Sequence, residues 1–149
     1  MTALITADLV DLDVPSADRR TAVTALAERL VKAGRVTDLD RFLADIEARE
    51  AQMPTGLEGG IGIPHCRSAA VTEPTLAFGR SSSGVDFGAE DGPADLIFPI
   101  AAPEGGDTDH MTVLAALARR LVRASFKNEL RNATDPAAVA TFIQQEVGA

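Results

Sequence analysis

Thr55-Gly56-Leu57-Glu58-Gly59-Gly60-Ile61-Gly62-Ile63-Pro64-His65-Cys66-Arg67 is the stretch on which the reading of this 149-residue chain turns. It holds four glycines, an apolar pair at Ile61 and Ile63, one proline, and one of the chain's two histidines. Glycine tolerates positive φ and lets a ligand come close to the backbone. Successive N–H groups in such a loop can form an anion-binding nest. Pro64 lacks a donor and fixes its own φ, so the pattern predicts that the strand ends there and aims His65 outward from the rim of a sheet. Taken alone, such a histidine also fits a purely structural hydrogen bond, and a glycine-rich turn is often only a turn.

Upstream, Asp38 opens a helix whose buried stripe holds Leu39, Phe42, Leu43 and Ile46. The stripe then continues into Arg49 and Glu50 instead of another large hydrophobe. Arg49 either complements the C-terminal end of the helix dipole or serves a site, and the glycine-rich segment starts close enough to bring it near His65. Further upstream, the alternation of Val10, Leu12 and Val14 with Asp11 and Asp13 predicts a half-buried strand over 9–14, ended by Pro15. Ser16 then caps a helix with Val23, Leu26, Ala27, Leu30 and Val31 on one face, closed by Gly34.

Downstream of His65, 76–80 reads as a strand, 81–84 as a polar turn, 85–87 as a short extended piece and 90–93 as a second turn. Leu96 to Ala102 is nearly all apolar, the mark of a strand covered on both faces, with Pro99 suggesting an edge or a bulge. A third helix, capped by Asp107 or Thr108, places His110 on the same face as Leu114, Leu117 and Leu121, in its first turn. A shorter helix over 125–133 follows. Asp135-Pro136 then starts a last helix that buries Val139, Phe142 and Ile143. The sum is one α/β domain over 1–149, helices covering a mixed sheet.

Composition narrows the partners. A net charge of −8 and a pI near 4.7 argue against nucleic acid, which requires basic clusters, and favour basic protein partners. The single Cys66 excludes an internal disulfide and fits a reducing compartment. The N-terminus carries no basic and apolar leader pattern, and no segment nears the ~20 apolar residues that span a bilayer. The expectation is a cytoplasmic protein that does not insert into membranes.

Two imidazoles, one guanidinium and loop N–H groups make a pocket suited to phosphate. Arginine binds phosphate bidentately, a helix N-terminus favours negative charge, and neutral imidazole is a good nucleophile. There is no Gly-x-x-x-x-Gly-Lys-Ser/Thr loop, so a phosphoprotein is a better donor than a nucleotide. Two other chemistries stay open: a metal site of His65, Cys66, Asp109 and His110, and a Cys66 nucleophile with a histidine base. Against the first, His65 and Cys66 would point to opposite faces of a strand and no paired-ligand spacing occurs. Against the second, nothing marks Cys66 as activated.

Gly60-Ile61-Gly62-Ile63-Pro64-His65, with Arg49-Glu50 and Thr55-Gly56 upstream, resembles the IIA domain of the fructose–mannitol class of the bacterial phosphoenolpyruvate-dependent sugar phosphotransferase system. The likeness runs nearly end to end. It takes in Gly84-Val85-Asp86-Phe87, Asp91-Gly92-Pro93, Ala102-Pro103, and His110 followed by Val113 to Arg119. The resemblance implies a three-layer α/β fold, a mixed sheet covered by helices on both faces. It also implies that the phosphocarrier HPr phosphorylates His65, and that the phosphate passes to a cysteine of a IIB domain and then to a sugar entering through a membrane IIC domain. Arg49 and His110 match the family's phosphate-site residues, as charge stabiliser and hydrogen-bond partner. Glu50, Thr55, Gly56 and Gly60 would shape the loop. No cofactor or metal is implied.

Two departures stand out, Gly62 where the family usually has Ala and Met111 where Leu is common, while Phe87 stands where Trp or Phe is usual. Cys66 directly after the histidine leans toward the fructose branch. A related branch, the nitrogen-type IIA, signals by phosphorylation-dependent protein binding and moves no sugar. A third possibility is a binding module that is never phosphorylated.

Overall fold

The computed structural model of the chain describes residues 3–14, 18–105 and 109–148, and for 109–111 the backbone alone. Pro15, Ser16, Asp107 and Thr108 therefore lie outside the described residues, as do the side chains of Asp109 and His110. Five helices are described: α1 Arg19–Lys32, α2 Leu39–Gln52, α3 Asp109–Leu121, α4 Ala124–Arg131 and α5 Pro136–Val147. Their starts follow side-chain capping. Asp18 accepts from Thr21 N–H, Asp38 from Arg41 N–H and Asp135 from Ala137 N–H, each satisfying a donor the first turn leaves orphaned. Gly34, at φ +77°, closes α1, and Arg35 N–H turns back to Leu30 O at 2.9 Å.

Eight strands are described: β1 Val10–Asp11, β2 Gly56–Leu57, β3 Ile61–Gly62, β4 His65–Ser68, β5 Thr75–Leu76, β6 Phe78–Val85, β7 Ala94–Ile97 and β8 Ile100–Pro103. The strand expected over 9–14 is mostly other structure: a 3-10 turn covers Ala7–Leu9 and only Val10–Asp11 pairs, parallel to β6. The alternation was real, since Val10 and Val14 are buried, but burial did not require a ladder. The polar turn expected at 81–84 is instead the bulged far half of β6. Its register against β7 shifts between Arg80 and Val85, Gly84 takes φ +82°, and Gly84 N–H donates to Ser81 Oγ at 3.0 Å.

The single mixed sheet and the single strand over 96–102 both divide. One sheet has the order β1-β6-β7-β3-β2, the other β4-β8-β5. The cause is a row of prolines. Ile61 pairs with Leu96 and His65 with Ile100, a constant offset that brings Pro64 beside Pro99. On the other side Gly79 pairs with Ile97 and Leu76 with Ile100, which brings Ala77 opposite Pro99. Each proline deletes one ladder donor, Pro64 toward β7–β8 and Pro99 toward Ala77. The surviving bonds cross the gap: Phe98 N–H to Gly62 O at 2.8 Å, Ile100 N–H to Pro64 O at 3.0 Å and Ala77 N–H to Pro99 O at 2.9 Å. Pro99 thus lies on a central strand path, not at an edge, and its neighbours Leu96, Ile97, Phe98 and Ile100 are buried.

Helices flank both faces. Gly79 faces Leu26 of α1, one of whose methyls would lie 2.7 Å from an added Cβ. The next residue, Arg80, points the other way, to the end of α4. α2 packs on β4 beside α1, while α3 packs on β8 and α5 on β1. The Arg80 guanidinium donates to Leu130 O, Arg131 O and Ala133 O at 3.0, 3.1 and 2.8 Å, and to Leu12 O at 3.2 Å. A cation at the α4 C-terminus meets carbonyls that have no helical partner. Arg80→Met keeps the stem and removes the donors. It should lower unfolding free energy by about 2 kcal/mol, read as a shifted urea midpoint at unchanged m.

Candidate functional site

The site is built outward from α2. Phe42, Ile46 and Glu50 lie four apart on its buried face, and Glu50 is only 4% exposed. A carboxylate in that place has to be hydrogen-bonded. The chain turns after Gln52 and supplies the donors itself: Thr55 N–H reaches Glu50 Oε2 at 2.8 Å and Thr55 Oγ–H reaches Oε1 at 2.7 Å. Arg49 is half-buried and donates from Nη1 to Met53 O at 3.0 Å, capping the end of α2.

Thr55 leads into β2, which pairs antiparallel with β3. Thr55 O accepts Ile63 N–H at 3.2 Å, and Gly56 N–H donates to Phe87 O at 2.9 Å. Gly56 has no room for a side chain, since a Cβ there would lie 2.7 Å from both Phe87 O and Ala89 N. Phe87 also fills the space over Gly62, where a Cβ would lie 2.4 Å from its ring. The departure at position 62 and the aromatic at 87 are therefore one packing arrangement.

His65 is not aimed outward past the end of a strand. It begins β4 and is 8% exposed, because the constant register resumes pairing directly after the proline row. Its Nδ1 lies 2.7 Å from Ile63 O. A carbonyl only accepts, so Nδ1 carries the hydrogen, and the lone pair of the neutral ring is on Nε2. Strand alternation puts His65 on the face of Ile61 and Ile63 and turns Cys66 to the opposite face, where α2 packs.

The glycine-rich loop has a different task from the anion nest expected of it. Gly59 N–H is engaged within the fold, donating to Asp91 Oδ2 at 2.9 Å. Arg131 holds the turn from the other side, donating to Gly59 O and forming two bonds to Asp95 at 2.8 and 2.9 Å. Gly60, at φ +80°, makes space for Asp95 and Arg131. Gly60 shapes the hairpin that joins β2 to β3. His110 is the second residue of α3. Sequence reading missed the Ile63 carbonyl, although the Ile-Pro-His order supplied a signal: a carbonyl followed by a donorless residue and a ring able to reach back. Nothing in the sequence pairs Asp95 with Arg131.

Burial pushes the Cys66 thiol up to about 12 from an ordinary value of 9.0, with Asp45 adding to the effect. That removes the nucleophilic thiolate at neutral pH. Among the described residues no three His, Cys, Asp or Glu side chains gather to hold a metal ion. Between pH 9 and about 12 the unfolded chain loses the thiol proton while the folded chain keeps it. Folding stability should then fall with rising pH, by about 1.4 kcal/mol per unit from this group, and Cys66→Ala should abolish that slope in urea titrations.

Residues 3–146 match the family model described as "Phosphoenolpyruvate-dependent sugar phosphotransferase system, EIIA 2". A fructose-specific EIIA component of Haloferax volcanii is 39% identical over 141 residues, covering 94% of this chain and 92% of the relative. Among solved structures, the nitrogen regulatory protein IIA-Ntr of Neisseria meningitidis superposes with a TM-score of 0.85 at 28% identity, covering 94% of this chain and 96% of that one. The Escherichia coli complex of enzyme IIA mannitol and phosphorylated enzyme IIB mannitol gives a TM-score of 0.78 at 25% identity over 95% of this chain and 96% of that one. A model that spans all but the ends, together with a relative matched over nearly its whole length, shows that the chain belongs to the type 2 EIIA family of phosphotransfer components of the sugar phosphotransferase system.

Proposed function

We propose that His65 is the phosphoryl acceptor, taking phosphate from phospho-HPr and giving it to a cysteine of a cognate IIB domain during uptake of fructose or a related sugar. The observation that carries this reading is the 2.7 Å contact of Nδ1 with Ile63 O, which leaves the Nε2 lone pair as nucleophile. Nε2 attacks the donor's phosphorus, the donor's P–N bond breaks with its electron pair returning to the donor nitrogen, and a P–Nε2 bond forms. The ring gains positive character that the Ile63 carbonyl offsets. In the second transfer a thiolate attacks the same phosphorus and Nε2 leaves.

Such a transfer needs positioning and charge neutralisation more than covalent chemistry. Arg49, whose guanidinium is fixed at the end of α2 by one bond to Met53 O, is assigned to the phosphate oxygens through its other N–H groups. His110, in the first turn of α3, is assigned as hydrogen-bond partner. Fructose is favoured by the Haloferax volcanii relative. No helix among the described residues is long and apolar enough to cross a membrane. A second reading, the nitrogen-type regulator, is favoured by the superposition on IIA-Ntr at a TM-score of 0.85.

Incubation with phosphoenolpyruvate, enzyme I and HPr should add one acid-labile phosphoryl group, mapped to His65, absent without HPr and in His65→Ala. A folded protein that gains no phosphate on His65 would overturn the proposal. Discharge by a fructose-type IIB domain separates the sugar reading from the regulatory one. Arg49→Ala should slow phosphorylation about a hundredfold, with Arg49→Lys recovering part of the loss, measured in single-turnover transfer.

A further inference from the structure

Thr55 and Ile63 sit opposite each other on the β2–β3 hairpin path, one step beyond the Gly56–Gly62 pair. Residues opposed in this way, bonded through Ile63 N–H to Thr55 O at 3.2 Å, ordinarily exchange both N–H···O bonds. Here the second bond is replaced. Thr55 N–H goes to Glu50 Oε2 at 2.8 Å, and Ile63 O is left to accept from His65 Nδ1 at 2.7 Å. Three buried groups have exchanged partners so that each is satisfied.

We infer that Glu50 is a positioning residue which sets the tautomer of His65: by drawing off the Thr55 N–H, its carboxylate frees the Ile63 carbonyl for the imidazole. Without it, Thr55 N–H returns to Ile63 O and competes with the imidazole for that carbonyl, so the Nδ1–H bond weakens and the Nε2–H form that free imidazole prefers becomes populated. In that form the lone pair lies on Nδ1, facing the backbone. The consequence for phosphoryl transfer rests on the proposed function; the tautomer itself does not.

The test is ¹⁵N NMR of the histidine rings in the intact protein, with His65 assigned by the signal lost in His65→Ala. Wild type should be dominantly Nδ1–H. Glu50→Ala should lower the ratio of Nδ1–H to Nε2–H roughly fivefold or more. Glu50→Asp, which keeps the charge but withdraws it by one methylene, should lower it too and serves if the alanine variant does not fold. Glu50→Gln, whose amide oxygen still accepts from Thr55 N–H, should hold the ratio near wild type, as should Thr55→Val, which keeps that N–H and loses only the hydroxyl. A wild type dominated by Nε2–H would overturn the inference. So would a folded Glu50→Ala or Glu50→Asp with an unchanged ratio, even if its melting temperature falls, since that is what a merely structural carboxylate predicts. With enzyme I and HPr present, the rate of phosphorylation should fall with the Nδ1–H fraction. Failure of HPr to phosphorylate wild type would defeat the proposed function and leave the tautomer result standing.

Discussion

Two missing backbone donors, at Pro64 and Pro99, govern where everything near the site can go. Because the prolines share one register, the losses fall in a single row, and the surface formed by 61–68, 75–80 and 96–103 parts there into two sheets while keeping its pairing. Each proline leaves one carbonyl of a different neighbour without its ladder donor, and the shared level of the two losses is what makes the seam. His65 is the first residue beyond that seam, close enough for its ring to reach back to the carbonyl two residues before it. The seam thus places the ring, and Glu50, by engaging Thr55 N–H, leaves open the carbonyl that the ring reaches.

The competition for Thr55 N–H is decided by magnitude. A hydrogen bond to a carboxylate contributes about 1.5–3 kcal/mol, against about 0.5–1.5 for a neutral pair, and leaving a buried carboxylate without donors costs more than either. Glu50, held on the core face by Phe42 and Ile46 in the turns before it, therefore captures both donors of Thr55. The apolar stripe of α2 is what forces a charged group into the interior, and the turn after α2 is shaped by answering it.

How much of this was legible in the residues depended on whether the cause was local. The helices were readable because their starts are written in single side chains, Asp38 and Asp135 among them, and their faces in the spacing of Leu26, Leu30, Phe42 and Ile46. The mixed α/β architecture followed, and Ile-Pro-His with Arg49-Glu50 was specific enough to carry the family. The partition into two sheets was not readable, because it depends on Pro64 and Pro99 meeting in register across 35 positions, and neither proline reveals its partner. The glycine loop misled for the same reason. Gly59 and Gly60 have the torsional freedom of a nest, but Asp91, Asp95 and Arg131 occupy it from distant parts of the chain.

Arg80 has a bearing on motion as well as on packing. Its guanidinium draws acceptors from Leu12 near one end of the chain and from the α4–α5 junction near the other, with β6 as the fixed point between. Opening either end releases the charge that the other relies on. The first strand and the two last helices should therefore open together in hydrogen exchange, although more than a hundred residues separate them in the chain.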